Sequence, residues 1–407
     1  MIKLPESVEF IIEKMNKGGE RADIVGGCVR DYLLGKEPSD YDLTTSAKPE
    51  RTKEIFADFR TIDTGIKHGT VTLMLEGEPY EITTYRIDGE YKDNRHPDSV
   101  TFSKNIEDDL SRRDFTMNAI AYNPTDGLTD PFGGREDIKS SLIRAVGDAK
   151  VRFTEDALRI LRGVRFSSTL GFAIEKDTAS AMKECRELLK NVSAERIFVE
   201  WKKLLQGREA VRVISEYLDI FTVFLPELSA LDSTKIAGFD NLSLQERNVL
   251  LFYLAKNTPD GFAAAMHRLK TDNDFRLFGK RTLECIFGID DGSDVISLEL
   301  IHGVDINLMM LAHIYGAEAS ISALRILAAI GKLDPDYPER LKRYIERGCP
   351  YRLSDLAVNG SDLATVGIVG KDIGKTLDYL LLMVIGLKVE NKKSHLIRYA
   401  KSMYGIK

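Results

Sequence analysis

The sequence predicts an α+β fold in which a mixed sheet occupies the N-terminal part and helices make up the rest. Three observations carry this expectation. A short apolar run ends at Ile24-Val25 and is broken by Gly26-Gly27, the pattern of a buried strand entering a turn. Thr70 to Leu75 and Tyr80 to Ile87 read as strands, and Glu76 to Pro79 between them supply the turn of a hairpin. Beyond residue 150 strand patterns vanish, and helical periodicity runs almost to the end with short breaks at Asn257-Thr258-Pro259 and Asp334-Pro335.

The 407 residues suffice for about two to four domains, each with its own core. There is no apolar run of about eighteen residues and no secretory signal, so a cytoplasmic protein without membrane contact is expected. Cys28, Cys185, Cys285 and Cys349 are far apart and read as reduced and structural. The net charge of −6 argues mildly against bulk nucleic-acid binding. Charge distribution qualifies this: from Leu381 to Lys407 the cations Lys388, Lys392, Lys393, Arg398, Lys401 and Lys407 face Glu390 alone. Such a segment can touch an RNA backbone or form a solvated helix end.

In chain order, residues 5–17 space Val8, Ile11, Ile12 and Met15 as one helical face, and Gly18-Gly19 end it. Cys28 to Leu34 form a second helix, stopped by Gly35; a glycine pair before a helix start exposes N–H groups that can hold phosphate. Next comes Ser39-Asp40-Tyr41-Asp42-Leu43. In an extended strand residues two apart face the same side, so Asp40 and Asp42 present two carboxylates to one spot. Like charges so close are costly unless a cation lies between them, and hard oxygen ligands suit Mg²⁺. A solvated acidic turn is the plainer reading, and the glycine turn upstream favours the metal site. In the second hairpin strand Glu81, Thr83 and Tyr85 share a face, which makes Glu81 the candidate third carboxylate.

At this point the pattern is identified. Gly26-Gly27-Cys28-Val29-Arg30-Asp31 followed by Asp40-Tyr41-Asp42-Leu43 closely resembles the nucleotidyltransferase head of the class II CCA-adding enzymes (tRNA nucleotidyltransferases) and their bacterial poly(A) polymerase relatives. The resemblance implies a polymerase beta-like head over residues 1–138, a helical neck that reads the base over 139–206, a helical body over 207–295, and a tRNA-binding tail of the Gram-positive type over 296–407. It implies that residues 86–112, polar and rich in turn formers, are a flexible loop that enzymes adding only the two C residues largely lack. It also makes Arg113 and Asp114, in a segment where Asp114 reads as a helix N-cap, contacts to ribose and triphosphate. Ser193 to Trp201, with Ser193 as N-cap, resemble the motif that supports the nucleotide-binding helix from behind. Asp130 to Asp137 read as the hinge leaving the head.

In Glu155 to Phe166, Asp156, Arg159, Arg162 and Arg165 lie three apart and form a ridge that winds slowly round one helix, with Asp156 and Arg159 as neighbours. Three arginines exceed what one aspartate can pair, which points to an anionic ligand. An aspartate only accepts and an arginine only donates. Cytosine and adenine each offer a donor and an acceptor that such a pair satisfies, whereas uracil and guanine present them wrongly. Each lost pairing costs on the order of 1–3 kcal/mol. Arg162 and Arg165 then meet phosphate or the base edge.

The reaction expected is transfer of C, C and A from CTP and ATP to the tRNA 3′ end with Mg²⁺ held by Asp40 and Asp42. Gly26, Gly27 and Arg30 would hold the triphosphate, and body and tail would grip the acceptor and TΨC arms. Asp31 either orients Arg30 or meets the ligand. A-adding, CC-adding and poly(A)-adding relatives are the alternatives; the full-length 86–112 loop speaks against CC addition, and Thr64 to Thr70 against a poly(A) polymerase. A non-catalytic RNA-binding scaffold would lack Asp40 or Asp42, and a dinucleotide fold would need G-x-G-x-x-G. The assembly state, monomer or homodimer, is left open.

Overall fold

Alternation at residues 70–75 and its partner run produces the two longest strands among the described residues, and the remaining sheet assembles on them. The computed structural model describes residues 2–63, 65–89, 98–290, 300–301 and 304–406. Residues 90–97 of the expected loop, Thr64 and His302 lie outside the described residues. The chain forms two compact units, Met1–Pro226 and Glu227–Lys407.

In the first unit the strands are β1 (Ala22–Val25), β2 (Leu43–Thr45), β3 (Thr61–Ile62), β4 (Thr70–Leu75), β5 (Glu78–Thr84), β6 (Arg86–Asp88), β7 (Val100–Phe102), β8 (Ala121–Asn123) and β9 (Gly127–Thr129). Seven of them form one sheet in the order β3-β4-β5-β2-β1-β8-β9, while β6 and β7 pair separately. Only β2 and β5 run parallel within the large sheet, which is therefore mixed as expected. Helix α1 (Glu6–Lys17) buries Val8, Ile11, Ile12 and Met15, the face its spacing specifies.

Two strand expectations need correction. Asp40 and Asp42 are not in a strand: the ladder starts at Leu43, and they belong to the irregular segment that leads into β2. Asp42 is nevertheless fixed, because its carbonyl accepts the Val25 N–H at 3.0 Å. The run from Tyr80 to Ile87 is not one strand either. β5 stops at Thr84, and Tyr85 turns its fully buried ring inward to bond its hydroxyl to the buried Asp23.

After α2 (Gly27–Leu33) and α3 (Pro49–Ile55) come α4 (Ile106–Ser111), α5 (Gly134–Lys139), α6 (Ala149–Glu155), α7 (Leu158–Leu170), α8 (Lys176–Cys185) and α9 (Ala194–Leu205). Asp130 caps α5 by accepting the N–H groups of Gly134 and Arg135, at 2.7 and 3.0 Å. Strand pairing also persists further than the sequence indicates. Leu142–Ile143 pair with Ala173–Ile174, and Leu300–Ile301 with Val304–Asp305, in two-residue ladders too short to leave a periodic pattern.

Among its described residues the regular structure of the second unit is otherwise helical. Ser243 and Glu246 close a capping box on the helix Leu244–Leu254, and Phe252 meets Phe262 edge-on at 4.9 Å. No helix among the described residues is long and apolar enough to cross a membrane. All four cysteines are free.

Helix α7 is seated by the absence of a side chain. A Cβ on Gly163 would stand 2.2 Å from Met182 Cε and 2.9 Å from Phe115 Cζ, both in fully buried side chains. Gly163→Ala should therefore lower stability by about 1–3 kcal/mol through overpacking, against a helix-propensity gain of about 1 kcal/mol. Urea unfolding of the variant should show a lower midpoint with unchanged slope; an unchanged or raised midpoint would contradict this packing.

Candidate active site

The phosphate-facing corner is built where β1 turns into α2. Gly26 has φ of +81°, a backbone conformation open to glycine and strained for other residues. A Cβ there would lie 3.1 Å from Arg113 Nη1, and one on Gly27 would lie 3.6 Å from Arg30 Nη2. The glycines therefore bring bare backbone directly under two guanidinium groups. Arg30 is held from both sides: Nε donates to Asp31 Oδ1 at 2.9 Å and Nη1 to Asn118 Oδ1 at 2.7 Å. Asp31 thus orients Arg30.

Across this corner stand Asp40 and Asp42, both exposed. Ser39 Oγ donates to Asp40 Oδ1 at 3.1 Å, and among the described residues neither carboxylate forms an ion pair. Asp42 is open on one side and hemmed in on the other. Burial raises its pKa above the ordinary carboxylate range, Arg113 opposes this, and Asp40 adds to it. Two exposed carboxylates two residues apart offer hard oxygen ligands, so the donor set fits Mg²⁺. Glu81 is exposed on β5, one residue before Ile82, which pairs with Leu43 where the parallel ladder begins. No three His, Cys, Asp or Glu side chains among the described residues are gathered tightly enough to hold a metal by themselves.

Asp114 does not cap a helix. The segment after it is a single 3₁₀ turn, Thr116–Asn118, because the chain must drop at once into β8. Its buried carboxylate is instead a four-way acceptor. Oδ2 takes both Nε and Nη2 of Arg162 at 2.7 Å, and Oδ1 takes Phe115 N–H at 2.8 Å and Asn118 Nδ2 at 3.1 Å. Burial alone would raise its pKa, but Arg162 and these hydrogen bonds outweigh it and hold the group at about 2. The same pairing raises Arg162.

The ridge expected along one helix is broken at its start. Asp156 ends α6 in an extended conformation and lies outside α7. Its Oδ1 accepts the Leu158 N–H at 3.0 Å and its Oδ2 accepts Arg196 Nη2 at 2.9 Å from α9. It is not paired with Arg159, whose guanidinium reaches Glu155 Oε2 (2.7 Å), Arg152 O (3.1 Å) and Arg112 O (2.9 Å). The three arginines are also not in excess of carboxylates: Arg159 has Glu155, Arg162 has Asp114, and Arg165 Nε donates to Glu200 Oε2 at 2.9 Å. The partners come from other turns and other elements, which spacing on one helix does not reveal. Ser193 does occupy the N-cap position of α9 but makes no side-chain cap bond.

Several residues of the site carry no signal in a single motif. Asn118 bridges Arg30 to Asp114, and its clue is a lone amide in the apolar run Phe115 to Tyr122. Phe166 lies beneath three guanidinium groups, with its ring centre 3.6 Å from Arg165, 5.1 Å from Arg30 and 5.5 Å from Arg162. Arg196 and Glu200, one turn apart on α9, hold Asp156 and Arg165 respectively.

Residues 22–144 match the Poly A polymerase head domain, and residues 171–231 match a family described as the probable RNA and SrmB-binding site of polymerase A. The CCA-adding enzyme of Geobacillus kaustophilus is 36% identical over 396 residues, covering 95% of this chain and 94% of that protein. The Bacillus stearothermophilus CCA-adding enzyme, solved in complex with CTP, superposes with a TM-score of 0.80 at 32% identity, over 99% of this chain and 98% of that one. The Thermotoga maritima CCA-adding enzyme complexed with tRNA shares the fold, with a TM-score of 0.67 at 20% identity over 98% and 96% of the two chains.

The depressed Asp114 carboxyl has a measurable consequence. A folded-state pKa of about 2 against an unfolded value of about 3.9 contributes stability on the order of 2 kcal/mol. That contribution is complete above the unfolded value and is lost as pH falls towards 2. Unfolding free energies of wild type and Asp114→Asn should differ by about this amount or more at pH 7, and the gap should shrink below pH 4. A gap independent of pH between 7 and 2.5 would contradict the assignment.

Proposed function

The chain belongs to the CCA-adding enzyme family, and on that premise we propose how its residues divide the work of building a tRNA 3′ end. It is a tRNA nucleotidyltransferase that adds C, C and A from CTP and ATP without a template, releasing pyrophosphate. The observation that carries the proposed site is the exposed Asp40–Asp42 pair facing a glycine turn overlaid by paired arginines.

Asp40 and Asp42 would hold Mg²⁺, whose chemistry is to lower the pKa of the attacking hydroxyl and steady the leaving oxygen. Glu81, on the neighbouring strand β5, would be the third carboxylate. Gly26 and Gly27 let the triphosphate approach the backbone, and Arg30 and Arg113 bind its oxygens, for which a planar guanidinium fork is well matched. Asp114 has about four acceptor sites and all are taken, so it places Arg162 and Asn118 first; a ribose hydroxyl would displace one donor.

Base choice falls to Asp156 and Arg159. Arg159 uses three of its five N–H donors on protein acceptors, and Asp156 uses two of about four acceptor sites. Each therefore keeps capacity for a base edge without giving up its partner. Arg162 and Arg165 complete the cationic side of the pocket. The proposed head, residues 1–138, and neck, 139–206, lie within the first unit; body and tail grip the acceptor and TΨC arms by shape and phosphate contacts.

Transcripts ending at the discriminator base, at C and at CC should each be extended to CCA and no further, given CTP, ATP and Mg²⁺. Extension of the CC-ended transcript alone would make this an A-adding enzyme, and long A tails a poly(A) polymerase. Asp40→Asn and Asp42→Asn should each lower single-turnover transfer by about 10³-fold or more while tRNA binding is kept. Transfer at wild-type rate in either variant would remove that carboxylate from the site.

A further inference from the structure

Beneath the proposed nucleotide pocket lies a carboxylate to which no role has yet been given. Asp109, on α4, is fully buried. Its Oδ1 accepts Nε and Nη2 of Arg112 at 2.9 and 2.6 Å, and its Oδ2 accepts Nη2 of Arg113 at 3.1 Å. Thr44 Oγ1 stands 3.4 Å from Oδ2, although its one proton has a shorter acceptor in the Thr83 carbonyl at 3.1 Å. Asp109 thus holds two successive arginines, Arg112 by two nitrogens and Arg113 by one, from inside the fold, at the place where the strand carrying Leu43 to Thr45 passes.

Each clamped arginine leads elsewhere. The Arg112 guanidinium also lies 3.6 Å from Asp88, at the end of β6 where the chain leaves the sheet towards residue 90. The Arg112 carbonyl accepts Arg159 Nη2 at 2.9 Å. Arg113 lies over Gly26, faces Asp42, and keeps a buried Nε with no partner among the described residues. A buried donor without a partner is costly to maintain, so the clamp is holding Arg113 in an orientation that its own hydrogen bonding would not choose. Long arginine side chains lose rotamer freedom when fixed, and fixing them in advance spares that loss when the nucleotide binds.

We infer that Asp109 is a positioning residue for nucleotidyl transfer. By fixing Arg112 and Arg113 it sets both the cation that faces Asp42 and the carbonyl that steadies Arg159, so triphosphate placement and base reading are aligned from one point. This rests on the proposed roles of Arg113 and Arg159. Asp109 touches neither substrate nor reacting atoms, and acts only through the two arginines.

The test compares Asp109→Asn, Asp109→Glu, Arg113→Ala and the Asp109→Asn/Arg113→Ala pair with wild type, full length, on transcripts ending at the discriminator base. Nucleotide KM, kcat and the CTP:UTP preference are read together with the unfolding midpoint. Asp109→Asn should lower kcat/KM for CTP by about 10–100-fold with a raised KM, as expected when a binding group is misplaced by about 1 Å. It should also narrow the CTP:UTP preference several-fold, and Asp109→Glu should show smaller changes in the same direction. In nucleotide KM the double variant should be little worse than Arg113→Ala, because Asp109 and Arg113 act as one unit there, while its CTP:UTP preference should narrow further through the lost Arg112 arm. If Asp109→Asn does not fold, Asp109→Glu alone decides by the same readouts. Wild-type nucleotide KM and preference in the folded Asp109 variants, beside an impaired Arg113→Ala, would overturn the inference and leave the role of Arg113 standing. If Arg113→Ala itself changes no nucleotide parameter, the reading of Arg113 falls and the inference with it.

Discussion

The pair between the buried Asp114 and the partly exposed Arg162 is the constraint on which the site depends. Asp114 belongs to the segment that feeds the sheet, and Arg162 to the helix seated against it by Gly163. The Asp114 carboxylate is buried and cannot be stranded without cost, whereas Arg162 reaches it from a position that still meets solvent. Sheet and helix are therefore held at one distance, and the constraint is passed on. Asn118, oriented by Asp114, holds Arg30 above the glycine turn. Phe166, one turn along from Arg162, offers its ring to Arg30, Arg162 and Arg165 together. Three like charges can share this small volume because each has a carboxylate of its own.

A second suture runs between α7 and α9. Arg196 and Glu200 present opposite charges one turn apart, and they meet opposite charges near the start of α7 and further along it. Just beyond, Trp201 is buried among Phe221 and Phe224, with ring centres 5.3 and 6.0 Å away. The helix that would read the base is thus braced on one side by the sheet and on the other by a helix with its own aromatic core. A site that discriminates by hydrogen bonding needs such bracing, because a loose pair would accommodate the wrong edge.

Much of this was legible in the sequence, for identifiable reasons. The face of α1 and the β4–β5 hairpin follow from periodicity, and the glycine turn from the need for positive φ at Gly26. What was not legible depends on tertiary partners. Asp156 continues the three-residue spacing of the arginines, so nothing in that pattern marks the break that removes it from α7. The partner of Arg162 lies 48 residues earlier in the chain and that of Arg165 35 residues later. Asp109 falls in the stretch 86–112 that polarity and turn formers give as a loop, where the structure instead has β6, β7 and α4; in the acidic run Glu107-Asp108-Asp109 only burial marks it out from the other two. Strands of two or three residues are too short to show alternation, so spacing alone extends the strand back over Asp40 and Asp42, although the ladder begins at Leu43.

In the proposed division of labour the sheet side carries the transfer chemistry while Asp156 and Arg159 carry the choice of base. Its most direct test is single-turnover incorporation of CTP and UTP opposite no template, by wild type and Asp156→Ala. The expected result is a CTP:UTP discrimination reduced by about 10–200-fold, with the rate for the better nucleotide falling far less. Discrimination preserved in Asp156→Ala would contradict the claim and move base selection to another part of the site.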